Sequence, residues 1–424
     1  MGWIAEDEAA GLEVEVVVAE DEVVRRLQAA LTYDPDLVAA HDRLADLYRA
    51  RHEAAEAARD ETAARVLASR VRDHDRSGRH AAWLAGEGAL SLTTEPPAEA
   101  RLHRFELEDR RLVPRLVGTL GTTPLDRLPL AMGSWLVELR RDEQSAWYPV
   151  HIARGQHWDG RDATGRVVPV PLVRAAPSEA YVPPGWFLAG DAQARNGVPP
   201  ERRWRDGYFL RKAPVTNAEF LAFLDDLAAN GGDPDAFVPR ESISDARRTA
   251  SSVYGREGSR FVLRPDASGE LWQPDWPVVL VDWHAAAAYA AWEAARTGLP
   301  WRLPTELERE KAARGVDGRR YPWGEFPQPT WANSVGAQEG PPGLASVDAF
   351  DEDTSIYGVR GLAGNTRDWC APTRGLPLNP GWRPYRGGGW NVGLSTTRAA
   401  DRLTAPAEYR TVLLGFRLAR SLSD

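Results

Sequence analysis

Cysteine is almost absent: Cys370 is the only one in 424 residues. A lone thiol excludes an intrachain disulfide and fits a reducing compartment, so the cytoplasm is the expected location. Lysine is nearly as scarce. Lys212 and Lys311 are the two lysines, and arginine carries the remaining positive charge, an imbalance that reads as codon bias rather than phosphate recognition. Positive charge is also in deficit overall, with a net charge of -9 at pH 7. That argues against nucleic acid or an anionic membrane as partner, since both attract basic surfaces. No apolar run reaches membrane-spanning length. Met1 leads into acidic residues without a basic or apolar leader pattern, so no secretory signal is expected. What remains is the composition of a globular chain, long enough for two or three domains.

Residues 1–86 are expected to be helical. Val23, Val24, Leu27 and Leu31 share one face, as do Leu37, Ala40, Leu44, Leu47 and Tyr48. Asp34-Pro35 between them marks a turn and a helix start. A further helix is expected from about Ala54 to Asp73. The series Ala30-Leu31, Asp34-Pro35, Ala40, Leu44-Ala45 and Tyr48 resembles a tetratricopeptide repeat. An array needs about three copies to stand alone, so a helical hairpin packed on the rest of the chain is the plainer expectation. His41, His52, His74 and His80 make no ligand set by spacing and are expected to be solvated.

Residues 87–174 change to alternating patterns. Ala89–Thr94, Ala100–Phe105, Met132–Leu139 and Trp147–Ile152 read as strands, with Glu95-Pro96-Pro97 and Gly121-Thr122-Thr123-Pro124 between them. Their order resembles a PEGA-type module, which implies a small all-β sandwich serving as a spacer or adhesive unit. His151 and His157 lack acidic or thiol partners at ligand spacing, so no metal is expected there. Pro169–Pro184 reads as a linker.

Residues 175–424 are dense in Trp and Gly, which suggests an irregular α+β fold held by aromatic packing. Thr216-Asn217-Ala218-Glu219 is a capping box, followed by Phe220, Phe223, Leu224 and Leu227 on one helical face. Asp282 caps a second helix whose apolar side carries Ala286, Tyr289, Ala290 and Trp292. An ordered series of motifs runs through this region. It includes Tyr181–Phe187, Ala213–Phe220, Pro277–Trp283, Arg302–Glu308, Ala312–Gly315, Tyr321–Gly324, Gly358–Trp369, Arg386–Trp390 and Gly415–Arg417. The series resembles the formylglycine-generating-enzyme, or sulfatase-modifying-factor, family. The resemblance implies a variant of the C-type lectin fold, here preceded by the β module and the helices. The whole order is similar to the part that follows the kinase in some bacterial serine/threonine kinases. The chain itself carries no Gly-rich loop, His-Arg-Asp or Asp-Phe-Gly.

Oxidising members of that family hold copper with two cysteines shortly after the Gly-Gly-Ser element, because soft Cu(I) wants thiolates. Here Trp390–Arg398 follows Gly389 and contains no cysteine, and Cys370 stands alone in another element. The histidine-dependent iron branches need several imidazoles, whereas His284 is the one histidine of this region. The expected catalytic set is therefore none. The family also implies calcium near Gly358–Trp369, here with Gly361 in place of a side-chain ligand and with Gly364, Thr366 and Asp368 remaining. Such a set would bind weakly, and hydrogen bonding of Asp368 and Asn333 inside turns is the alternative. Trp323, Trp369, Trp390 and Phe416 are expected in the core, with Arg386 and Arg417 anchoring turns or acidic partners.

The expectation is thus a non-catalytic binding or regulatory protein, without cofactor unless weakly held calcium. It would recognise a protein or small ligand within a larger assembly. Two alternatives stand beside it: a sulfatase-modifying-type oxidase with a variant site, and a variable ligand-binding protein of the kind diversified by retroelements. The binding face is expected between Trp390 and Leu414, where runs without a period suggest loops on a rigid scaffold. Its candidate contacts are Asn391, Thr396, Asp401, Arg402, Thr404, Glu408, Tyr409 and Thr411. An ordinary surface, with Arg402 and Tyr409 packed against the core, is the competing reading of that stretch.

Overall fold

The computed structural model describes residues 2–58, 60–194, 196–240, 253–266, 269–338, 340, 342–394 and 397–422. The chain separates into two compact units. One comprises Met1–Ala89 with Pro129–Met132 and Ala153–Gln156, and the other contains the rest.

Four helices build the first unit: α1 (Gly2–Tyr33), α2 (Val38–Ala57), α3 (Glu61–His74) and α4 (Ala81–Ala85). The Asp34–Asp36 turn falls between α1 and α2 as expected, with the Asp36 N–H donating to the Asp34 carboxylate at 3.2 Å. Val24, Leu44, Tyr48 and Val71 form the core, with Leu27, Leu31 and Leu47 against it. Val23 and Leu37 stay exposed. The helix expected over 54–73 is broken instead. α2 stops at Ala57, and the Asp60 carboxylate caps α3 by accepting from the Ala63 N–H at 2.9 Å.

The histidines also correct the expectation. His41, His52 and His80 are buried. His41 Nδ1 lies 2.9 Å from His74 Nδ1, His80 Nε2 lies 3.1 Å from Asp46, and the His52 ring meets Trp83 edge-on. A neutral imidazole can enter an apolar layer where a fixed charge could not. Burial accordingly lowers the pKa of His52 and His74.

In the second unit the strands Arg111–Thr122, Glu99–Glu108, Gly133–Arg141 and Gln144–Ile152 form a four-stranded antiparallel sheet in that order. The 12-residue strand Arg111–Thr122 was not expected, and its last two residues, Gly121 and Thr122, were read as part of a turn. Its partner is reached through Asp109-Arg110, both at positive φ (44° and 67°), which gives a tight two-residue hairpin whose twist suits the strands.

The C-terminal region is α+β. One sheet runs Glu179–Val182, Tyr208–Arg211, Ala419–Ser421, Trp301–Arg302, all antiparallel. A second runs Arg402–Pro406, Trp382–Arg386, Arg367–Trp369, Leu414–Gly415. Three helices accompany them: α5 (Asn217–Ala229), α6 (Trp283–Thr297) and α7 (Glu306–Arg314). The capping box at Thr216 is present, and Asp282 accepts from the Ala285 N–H at 2.8 Å. Phe220, Phe223, Tyr289 and Phe416 pack ring on ring at centroid distances of 5.3–6.2 Å, which fixes α5 and α6 on the terminal strands. Trp323, Trp369 and Phe416 are buried as expected, and Trp390 is partly so.

Candidate functional site

The Gly358–Trp369 segment is organised by carboxylates. Asp353 is buried and accepts from the N–H groups of Leu362, Ala363 and Gly364 at 2.9–3.0 Å. Burial raises its pKa, and those three donors oppose the rise. Asp368 is completely buried, and its Oδ2 accepts from Arg309 Nε at 2.6 Å and Arg417 Nε at 2.8 Å. Both guanidinium groups go on to nearby carbonyls: Arg309 to Leu362, and Arg417 to Arg360 and Gly361.

This geometry favours the hydrogen-bonded reading of Asp368 over the calcium one. Two fixed cations already face the carboxylate, so a third positive charge would meet repulsion where it sought attraction. The Gly364 carbonyl accepts from the Thr366 N–H at 2.8 Å. Asn333, the other residue read as hydrogen-bonded inside a turn, is buried among amides, donating to Gly343 O and Asn365 Oδ1 and accepting from Gln338.

Next to Asp368, Cys370 is fully buried with its Sγ 3.4 Å from the Asp368 carbonyl. Burial pushes its thiol well above the ordinary range, so the reactive thiolate is suppressed. The expected roles of Arg386 and Arg417 are present. Arg386 is buried, 3.0 Å from Glu310, and donates to the Ala400 carbonyl.

The C-terminal candidates separate into two groups. Asp401 is 1% exposed, and desolvation raises its pKa against the influence of Arg367 and Arg386. Arg402 is committed to Glu306, and Tyr409 packs against the main core. Asp401 faces the protein's own interior, whereas Arg402 and Tyr409 are half-buried. Leu403–Ala405, read as a loop, belongs to the edge strand Arg402–Pro406 paired with Trp382–Arg386. Pairing across a sheet needs no period in so short a run. Asn391 and Glu408 are exposed, the latter 3.7 Å from His284, while Thr404 and Thr411 are half-buried. Thr396 lies outside the described residues.

The sulfatase-modifying factor enzyme 1-like domain matches residues 166–422, more than half of the chain. The chain belongs to that family. It is 31% identical over 276 residues to the inactive C-alpha-formylglycine-generating enzyme 2 of Mus musculus, covering 58% of this chain and 86% of that one. It is 31% identical over 368 residues to the hercynine oxygenase of Mycolicibacterium smegmatis, covering 78% and 79%. The serine/threonine-protein kinase Pkn1 of Chlamydia trachomatis is 30% identical over 250 residues, covering 55% of this chain and 36% of the kinase.

Within this family member, sequence reasoning missed the charged helix α7. All nine of its residues are buried. Glu306 pairs with Arg402, Glu308 with Arg302, Arg309 with Asp368, and Glu310 with Arg314 and Arg386. Lys311 donates to the carbonyls of Pro183 and Gly185 at 2.8 and 3.0 Å. Burial lowers its pKa to about 7. The one local signal was the Thr305-x-x-Glu308 capping box, which is formed.

Proposed function

We propose that this chain is a non-catalytic binding or regulatory member of its family, working in a reducing compartment and recognising a protein partner within a larger assembly. The observation that carries this reading is the lone thiol. Copper-dependent oxidation in the family draws on paired thiolates, and the chain has one cysteine, buried and held protonated. The segment after Gly389, Trp390–Arg398, offers no thiol and no imidazole. The mouse relative, itself named as inactive, lends support. On the C-terminal face, Asn391, Thr404, Glu408 and Thr411 remain the candidate contacts.

The test is direct. Purified full-length protein, with and without added copper, is incubated with a sulfatase-type cysteine peptide and the peptide is weighed by mass spectrometry. The expected result is no formylglycine above a control without protein. Product above that control would replace this reading with that of an oxidase working through a variant site.

A further inference from the structure

A cavity of about 410 Å³ opens in the second unit, with no residue of the charged helix and none of the C-terminal candidates in its lining. That volume lies within the range of about 300–1,000 Å³ usual for small-molecule sites. One wall comes from the end of the β module, with Tyr148, Trp158 and Asp159. The other is the hairpin of Gly185–Ala189 and Glu201–Arg205, which contributes Trp186, Arg202 and Trp204.

The hairpin register explains the second wall. Trp186 pairs directly with Trp204, and Leu188 with Arg202. Residues two apart on a strand share a face, so both indoles and the guanidinium emerge on the same side. The two indoles meet edge to face at 5.8 Å. The Arg202 guanidinium lies over Trp186 at 5.2 Å and over Trp158 at 5.8 Å.

The walls have used up their indole donors. Trp158 Nε1 donates to Tyr148 Oη, Trp186 Nε1 to the Arg161 carbonyl, and Trp204 Nε1 to Asp206. What the indoles still offer is ring surface. Arg202 is the opposite case. Among the described residues its side chain stacks on rings but has no hydrogen-bond or ion-pair partner. Asp159 is the opposing charge that acts on it, and the Asp159 carboxylate accepts from the Arg161 N–H at 3.1 Å and lies 3.7 Å from Arg161 Nε.

The chemistry narrows the ligand. An organic cation would compete with Arg202, which already occupies the ring faces a cation seeks. An anion would meet Asp159 and Asp162 on the same lining, where the second guanidinium, Arg161, is already turned to Asp159 and the Gly165 carbonyl. A purely apolar ligand would strip water from the guanidinium and the carboxylate without replacing it. A neutral polyol with a flat C–H face satisfies all three groups: the face lies on an indole, one hydroxyl accepts from Arg202, and its neighbour donates to Asp159. We propose that this pocket is a binding site for a neutral saccharide, held by the ring face of Trp204 and by the polar groups of Arg202 and Asp159. The site is separate from the proposed partner face, and neither reading depends on the other.

The experiment is calorimetric titration of the full chain with cellobiose, maltose and chitobiose, together with saturation-transfer NMR on each sugar. Sodium acetate and choline chloride serve as anionic and cationic comparisons. Saturable binding of at least one disaccharide is expected, with its ring C–H protons receiving the strongest transfer. Arg202→Ala and Asp159→Asn should each weaken it about tenfold or more. Should Arg202→Ala fail to fold, Arg202→Lys keeps the charge but loses the planar donor edge, and should bind about tenfold more weakly as well. Absence of binding by all three sugars, tighter binding of acetate or choline, or unchanged affinity in Asp159→Asn would overturn the proposal.

Discussion

Asp368 shows how one side chain can settle what a segment does. Its carboxylate binds two buried guanidinium groups, and those two bind four backbone carbonyls of the surrounding turns. Asp368→Asn would leave both cations without their counter-charge in a medium of low dielectric, and breaking a buried pair in this way costs about 3–5 kcal/mol. Chemical denaturation should report a loss of that size, and a loss below about 1 kcal/mol would mean water reaches the pair. Millimolar calcium should leave the melting temperature unchanged, because the only carboxylate of that set is already occupied by cations.

Lys311 gives a pH signature. Its folded pKa of about 7 lies below the ordinary lysine value of 10.5. Between these two values the unfolded chain binds a proton that the folded chain does not, so its contribution makes stability rise with pH across that window. Below about pH 7 both states are protonated and the cost of burying the charge is constant. Lys311→Met should therefore flatten the rise in denaturation midpoint between pH 7 and 10 that the unaltered protein shows, at the expense of the bonds to Pro183 and Gly185. An equal rise in both proteins would place the charge in contact with solvent.

At the scale of the element, α7 is the least expected part of the molecule. Its sequence, Glu-Leu-Glu-Arg-Glu-Lys-Ala-Ala-Arg, reads as a solvated helix, yet it is wholly buried. Each charge meets a partner on another element or a carbonyl within reach, which is the condition for burying it at all. Thr305→Ala removes the hydroxyl that accepts from the Glu308 N–H. The loss should be about 1 kcal/mol, seen in urea unfolding, as for other helix caps. The stretch from Asn391 to Glu408 makes a contrasting prediction. Asp401→Trp should unfold the domain, since the site is 1% exposed. Asn391→Trp and Glu408→Trp together should shift the melting temperature by only a few degrees, because exposed substitutions usually cost under about 0.5 kcal/mol each.

Across the whole molecule, the β module and the C-terminal region belong to one compact unit. The Leu112 N–H donates to the Trp323 carbonyl at 2.8 Å, Arg110 stacks on Phe326 at 4.1 Å, and Arg319 stacks on Phe105 at 4.5 Å. A chain beginning at Leu90 should accordingly melt several degrees above one beginning at residue 175, measured by circular dichroism. Equal melting temperatures would show these contacts to be worth little.

The sequence by itself determined the features whose cause is local. The caps at Thr216 and Asp282, the apolar faces of α5 and α6, the order of the family motifs and the missing thiol pair are all written within a few residues of one another, and a helix period or a spacing suffices to read them. Only the tertiary structure decided the burial of α7, the commitment of Asp368 and Asp401 to the interior, the break at Asp60 in favour of a second cap, and the meeting of Arg202 with Trp158 and Trp186. Arg309 reaches Asp368 across 59 residues and Arg398 reaches Asp191 across 207. A charged side chain carries the same propensity whether its partner is water or a distant counter-ion, and the energy that distinguishes the two arises only when the fold brings that partner within about 3 Å and excludes the solvent.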